Sequence, residues 1–228
     1  MGEIDNIPGP ALVIPVFPLP NVVLFPKVEL PLHIFEPRYR QMVRDAMPHQ
    51  QLIGMALLKG NWEKEYYGNP EMYPVGCLGR IVGATALPDG RYNILLLGLR
   101  EYLIQEHISG KTLYRQARVL LRDRPEEMQP ASLTSIKNQV LELAQRTMAP
   151  EAAELINTVS DPTIDGETWL NLCCFSLDIS ALERQTLLEA KSLQERAAHL
   201  LNVLRFKAAE KKSPLGAADG SNAGKLPH

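Results

Sequence analysis

The stretch Pro15-Val-Phe-Pro-Leu-Pro-Asn-Val-Val-Leu-Phe-Pro26 is followed closely by Leu30-Pro-Leu-His-Ile-Phe-Glu-Pro-Arg-Tyr-Arg40. The valine, isoleucine and phenylalanine residues of these two segments favour strands, whereas each proline removes a backbone donor from a sheet. The first strands are therefore predicted to be irregular and edge-like. Pro37 is suited to a first helical turn, and the sequence predicts a short helix over 38–47 that Pro48 ends.

Outward from this stretch, the first half of the chain reads as strands separated by turns. Asp89-Gly90 lies between two apolar runs and predicts a tight hairpin, while Gly98 interrupts a run and suits a bulge or a barrel corner. In the last run, Ala117, Val119 and Leu121 alternate with polar residues, which predicts a strand with one wet face. The predicted strands cover 11–17, 28–35, 51–58, 76–85, 91–98, 101–108 and 114–122.

The second half changes to a helical period. Further helices are predicted over 150–159 and 167–177, and capping boxes at Ser180 and Ser192 predict two more helix starts. Apolar side chains at helical spacing mark two of the helices, at Leu133, Ile136, Val140, Ala144 and Met148 and at Leu193, Ala197, Leu200, Leu201 and Leu204.

This division predicts an α+β chain with a β part followed by a helical part. The polar, proline-bounded segment 123–130 is interpreted as the linker between them. We expect a β subdomain over 1–123, a helical subdomain over 131–212 and a disordered tail over 213–228, which is rich in Gly, Ala, Ser and Asn.

Charge and cysteine content narrow the function classes. The chain has 24 basic and 26 acidic residues, a net charge of -2, so a strongly basic surface that would favour nucleic acid or an anionic membrane is not expected. No apolar run reaches the roughly 18 residues of a membrane span, and no basic region precedes the N-terminal apolar stretch, so we expect neither a span nor a secretory signal. Cys77, Cys173 and Cys174 form no CxxC pair and predict buried thiols in the cytoplasm.

Catalytic motifs are missing from the sequence. It contains no phosphate loop, GxSxG or HExxH motif, so we predict no catalytic residue, cofactor or metal site. His33 and Glu36 have a spacing that could hold a metal on a helix. The favoured interpretation is structural, with His33 packed or bonded to backbone and Glu36 capping the helix that begins at Pro37.

Two local features suggest a contact surface instead. The polar loop 61–73 contains Trp62, Tyr66, Tyr67 and Tyr73, and exposed aromatic side chains often mark a binding surface, although these could equally pack back onto the strands. Arg38-Tyr39-Arg40 is locally basic. It is interpreted mainly as a solvated helix face, with an anion or nucleic-acid contact as the alternative.

The opening stretches carry a family resemblance. Together with Ile53-Gly-Met-Ala-Leu57, Val75-Gly-Cys-Leu-Gly-Arg-Ile81 and Gly90-Arg-Tyr-Asn-Ile-Leu-Leu-Leu-Gly-Leu-Arg100, they resemble the N-terminal substrate-binding domain of the Lon protease over roughly residues 10–206. The resemblance implies a PUA-like β-barrel with a short helix, followed by a C-terminal α-helical bundle. The ATPase motifs and the Ser–Lys dyad of that protease have no matching positions in this sequence.

The resemblance thus implies a non-catalytic polypeptide-binding or adaptor module, similar to the part of Lon that recognises substrates. Expected partners are unfolded or hydrophobic polypeptide segments and a protease or chaperone, with no membrane and with nucleic acid unfavoured. PUA-like RNA binding or small-molecule binding remains the alternative. The predicted peptide-binding residues lie at the strand end and in the aromatic loop: His33, Phe35, Glu36, Arg38, Tyr39, Trp62, Tyr66 and Tyr67.

Overall fold

The computed structural model describes residues 9–60, 62–65, 68–123, 125–147 and 163–212. Within these ranges it is an α+β structure with one six-stranded sheet and five α-helices. None of the helices in these ranges is long and apolar enough to cross a membrane. The predicted helix over 150–159, Met148 and the predicted disordered tail over 213–228 lie outside the described residues.

Six strands match the predicted β region, with small shifts at their ends. They are β1 (Ala11–Leu19), β2 (Glu29–Ile34), β3 (Leu52–Leu57), β4 (Val75–Ala86), β5 (Tyr92–Ile108) and β6 (Arg115–Leu121). The sheet order is β2-β5-β4-β3-β1-β6, and β5 also pairs with β6. The pairings β5–β4–β3–β1–β6–β5 therefore form a closed circuit, with β2 as an added edge strand.

The prediction of separate strands over 91–98 and 101–108 was wrong, because β5 runs through both. Its pairing with β4 shifts register between Leu78 and Gly79, and this irregularity, next to Gly98, absorbs the interruption seen in the sequence. Gly98 also binds the loop before β2. Its N–H donates to the Val28 carbonyl at 2.8 Å, and its carbonyl accepts from the Lys27 N–H at 2.7 Å.

Two apolar cores lie on the two sides of this sheet. One contains Ile14, Leu78, Tyr102, Ala117 and Val119, and it includes the buried side of β6 that the alternation predicted. The larger core joins strand residues to the helices. It contains side chains such as Phe17, Phe25, Leu96, Trp169, Leu170 and Leu200. The strands and the helices therefore share one large apolar core.

The helices are α1 (Pro37–Ala46), α2 (Pro130–Thr147), α3 (Gly166–Ser176), α4 (Ala181–Glu189) and α5 (Leu193–Lys212), with a short 3-10 helix over Trp62–Glu65. Ser180 and Glu183 form the predicted capping box at the start of α4. The second box differs: Ser192 accepts from the Glu195 N–H, but the Glu195 carboxylate accepts from the Lys191 N–H rather than from that of Ser192. The capping pattern therefore located the helix start but misplaced one bond by a residue.

Polar side chains connect the helices to the sheet. The guanidinium of Arg122, just after β6, donates to the carbonyls of Leu188, Glu189 and Ala190 at the end of α4, at 3.1–3.2 Å. These are the carbonyls that a helix end leaves without internal partners. The three cysteines are free and buried as predicted, and burial raises the pKa of each thiol.

Candidate functional site

A groove lies between the start of α1 and the chain that enters β6. It has a volume of about 630 Å³. The wall on the α1 side includes three of the predicted binding residues, Glu36, Arg38 and Tyr39. The opposite wall comes from the segment 107–116, and Gly68 and Asn69 of the aromatic loop also line the groove. The start of α1 and two residues of the aromatic loop therefore line one groove.

Glu36 and Arg38 form an ion pair at the start of α1. Nε and Nη2 of Arg38 lie 3.0 and 2.9 Å from Oε2 of Glu36, and the Arg38 guanidinium lies 4.7 Å from the centre of the Tyr39 ring. Glu36 is the N-cap residue of α1, as predicted, but its side chain makes no capping hydrogen bond. Arg38 engages the carboxylate that the cap would need.

Tyr39 is buried rather than exposed. Its ring packs against Phe17, with the ring centres 4.2 Å apart, so that it forms the floor of the groove and part of the larger core. The segment 107–116 is fastened to α1, because the Leu113 N–H donates to Oε1 of Gln41 at 3.1 Å and the Tyr114 hydroxyl donates to Asp45 at 3.0 Å. Burial and then the Asp45 hydrogen bond raise the pKa of Tyr114 to about 12.

Apolar and cationic groups meet in the 107–116 wall. The Leu113 side chain is 66% exposed, among the most exposed large apolar side chains of the described residues. Arg115 is half-buried and donates to the Pro70 carbonyl at 2.7 Å. Burial of its guanidinium lowers the pKa of Arg115, and the positive charge of Arg38 acts in the same direction. The groove can therefore contact an apolar side chain and an anionic group together.

A second groove, of about 550 Å³, continues on the far side of Tyr114 and Gln116, which line both. It is bounded by β1 residues, including the exposed Val13, by Asp45 at the end of α1 and by His49 in the turn after it. The two grooves lie at the start and at the end of α1, and they are joined at Tyr114 and Gln116. Such an arrangement suits an extended polypeptide more than a compact small molecule.

The other predicted residues lie elsewhere. Nδ1 of His33, on β2, lies 2.7 Å from Oδ1 of Asn93, and its Nε2 accepts from Arg91 at 3.2 Å. The His33 side chain therefore contacts the end of the β4–β5 hairpin. Phe35 is exposed and stacks on His33 with ring centres 6.2 Å apart. Neither residue lines the groove.

The structure describes only part of the aromatic loop. Trp62 is half-buried and packs against the core that contains Leu58 and Met72, which favours the alternative that this ring supports the strands. Tyr73 likewise packs against the larger core. Tyr66 and Tyr67 lie outside the described residues.

Sequence reasoning missed the 107–116 wall. The available signal was a basic and apolar run, Leu113-Tyr-Arg115, directly after the turn Ser109-Gly110-Lys111. Nothing in that local pattern indicated that α1 would lie beside it. Among the described residues, no cluster of three His, Cys, Asp or Glu side chains could hold a metal ion.

Comparison with known proteins assigns the chain to a family. The family model for the ATP-dependent protease La (LON) substrate-binding domain matches residues 13–205. The chain belongs to this family. The expected resemblance is thereby confirmed, for a match that covers both the strands and the helices.

Individual relatives agree with this assignment. A Lon protease of Flavobacterium johnsoniae is 29% identical over 201 residues, which is 85% of this chain and 23% of that protein. A Lon protease of Geobacter metallireducens is 30% identical over 157 residues, 66% of this chain and 19% of that protein. The chain thus spans about a quarter or less of the length of these curated relatives.

Solved structures show the same fold. The N-terminal domain of Mycobacterium avium complex Lon protease superposes with a TM-score of 0.62 at 17% identity, covering 87% of this chain and 99% of that one. A Lon N-terminal domain protein from Xanthomonas campestris gives a TM-score of 0.59 at 20% identity, covering 84% and 98%.

Proposed function

We propose that this protein is a non-catalytic polypeptide-binding or adaptor module, and that it binds unfolded or hydrophobic segments in the groove beside α1. The observation that carries the proposal is the groove itself, in a chain of a substrate-binding family. It combines an exposed apolar side chain, Leu113, with polar groups at its rim. Peptide-binding sites commonly have this composition, with a few apolar anchors inside a polar surround.

The proposal includes a finer description of the fold. We interpret the closed strand circuit as a PUA-like barrel and helices α2–α5 as one helical bundle. The subdomains would then cover 1–123 and 131–212. In this interpretation the barrel carries the 107–116 wall, and the shared apolar core supports the attachment of the helical part to it.

A binding role without catalysis is consistent with the family match. The matched model describes a substrate-binding domain alone, and neither an ATPase nor a protease domain of Lon is matched. We propose that the partner that acts on a bound segment is a protease or chaperone, and that binding takes place in the cytoplasm, where free thiols such as Cys77 stay reduced.

The experiment is a titration with one model protein in two states. Reduced, carboxymethylated lactalbumin stays unfolded without denaturant, whereas native lactalbumin is folded. We expect the chain to bind the unfolded form and to leave the native form unbound. Equal affinity for both forms, or no binding to either, would overturn the proposal. Retention of RNA that weakens steeply with added salt would support the RNA-binding alternative.

A further inference from the structure

Arg115 differs from the other arginine in the groove wall. It opens β6, and one guanidinium nitrogen, Nη1, donates to the carbonyl of Pro70. Among the described residues, no carboxylate lies within 4.0 Å of the Arg115 guanidinium, the limit for an ion pair. Arg38, in the same groove, is paired with Glu36. The charges of Arg38 and Glu36 offset each other, so the charge of Arg115 gives the groove lining an excess positive charge.

The surroundings of this guanidinium strengthen its attraction for an anion. It is partly removed from water, and a carboxylate brought to such a site meets a weaker dielectric screening than on an open surface. A guanidinium offers five N–H donors in a planar fork, and the Pro70 carbonyl engages a single nitrogen. Donors therefore remain for a charge-assisted pair with a carboxylate.

An apolar contact lies beside the charge. Leu113 is two residues from Arg115, lines the same groove and exposes most of its side chain, and Ile108 lies in the same wall. The bond from the Leu113 N–H to Gln41 and the bond from the Tyr114 hydroxyl to Asp45 hold this segment against α1. The cation and the apolar surface are thus presented at a defined spacing before a ligand arrives.

We propose that the groove selects polypeptide segments in which an acidic residue neighbours a large apolar residue. The acidic side chain pairs with Arg115, and the apolar side chain packs against Leu113. This inference rests on the proposed polypeptide-binding function and adds a specificity determinant to it.

The test compares two peptides by calorimetric titration: acetyl-GSLFELSG-amide and the same peptide with its glutamate replaced by glutamine. For the wild-type chain, we expect the glutamate peptide to bind about five- to tenfold more tightly, the range of a partly desolvated ion pair. The preference should decrease as salt screens the pair.

Two variants locate the effect. Arg115→Gln should reduce the preference to about onefold. Arg118→Gln is the matched control, since Arg118 is on the same strand, is exposed, pairs with Glu106 and does not line the groove. It should retain the wild-type preference.

The outcomes separate this inference from the function beneath it. Equal affinity of the wild-type chain for the two peptides would overturn the acidic preference and leave polypeptide binding standing. Failure to bind either peptide or unfolded lactalbumin would overturn both. If Arg115→Gln fails to fold, as thermal unfolding would reveal, the wild-type comparison and its salt dependence still decide. Displacement of both peptides by single-stranded RNA, without a glutamate preference, would assign Arg115 to phosphate instead.

Discussion

The Arg196 guanidinium, on α5, donates to the Glu101 carboxylate, on β5, across 95 residues of sequence. The two side chains are 3% and 5% exposed. Arg196 also donates to Oδ1 of Asn171 and, through Nε, to the Leu187 carbonyl at 3.0 Å. Asn171 in turn donates to the Pro26 carbonyl at 3.0 Å. This buried network links α3, α4 and α5 to the strands through polar bonds as well as through the apolar core.

Replacing one member of this pair should be strongly destabilising. Glu101→Gln keeps the shape of the side chain but leaves the Arg196 charge buried without its counter-ion. We expect the free energy of unfolding to fall by about 3–5 kcal/mol, as for other broken buried pairs. Urea unfolding followed by circular dichroism measures this change.

The matched control is Arg118→Gln, which breaks the exposed pair with Glu106, where the side chains are 53% and 62% exposed. Water screens this pair, so stability should change by less than about 1 kcal/mol. A similar loss of stability in Glu101→Gln and Arg118→Gln would show that burial does not determine how much the Glu101–Arg196 pair contributes to stability.

Two glycines of the sheet should respond very differently to alanine. A Cβ at Gly98 would lie 2.0 Å from the backbone oxygen of Phe25, so Gly98→Ala must displace the loop before β2. A Cβ at Gly83 would meet only the Leu95 Cβ, at 3.6 Å, an ordinary contact. We expect a loss of more than about 2 kcal/mol for Gly98→Ala and a change within about 1 kcal/mol for Gly83→Ala. Thermal and urea unfolding compare them, and equal losses would be inconsistent with the close approach of Phe25.

Tyr114 should make stability fall in alkaline solution. Its pKa is about 12 in the folded chain, against about 10 in an unfolded one. Between these values the folded state keeps a proton that the unfolded state has released, so unfolding becomes more favourable as pH rises. The contribution is complete below pH 10 and is lost on the way to pH 12.

Urea unfolding across this range should therefore show a shallower decline for Tyr114→Phe than for the wild type. Asp45→Asn should lower the pKa of Tyr114, since it removes the negative charge that helps to raise it. Ultraviolet titration of tyrosinate absorbance, corrected with Tyr114→Phe, measures that pKa. An unaltered titration in Asp45→Asn would show that Asp45 has no part in the shift.

Sequence patterns predicted the elements of this fold better than their assembly. The alternation of Ala117, Val119 and Leu121 correctly indicated the buried side of β6, and Pro37 correctly marked the start of α1. Both signals arise from neighbouring residues. Gly98 was correctly associated with an irregularity, but the continuation of β5 depends on partners in β4 that are distant in sequence.

The groove proposed for binding was only half predictable for the same reason. Glu36, Arg38 and Tyr39 were identified, but the facing wall is brought to them by contacts such as Gln41 to Leu113, across 72 residues. Glu101 and Arg196 carry no local sign of burial, because a charged residue usually lies in solvent unless a distant partner accompanies it.

The central claim, that polypeptide binds beside α1, is tested most directly by one pair of exposed leucines. Leu113, in the groove, is 66% exposed, and Leu182, on α4 and outside the groove, is 58% exposed. Either can be replaced by Asp with little expected effect on the melting temperature. In fluorescence titrations with labelled unfolded lactalbumin, Leu113→Asp should weaken binding by about tenfold, as for an interface anchor, and Leu182→Asp should bind within about twofold of the wild type. Wild-type affinity in Leu113→Asp, or an equal loss in Leu182→Asp, would contradict the assignment of the groove as the binding site.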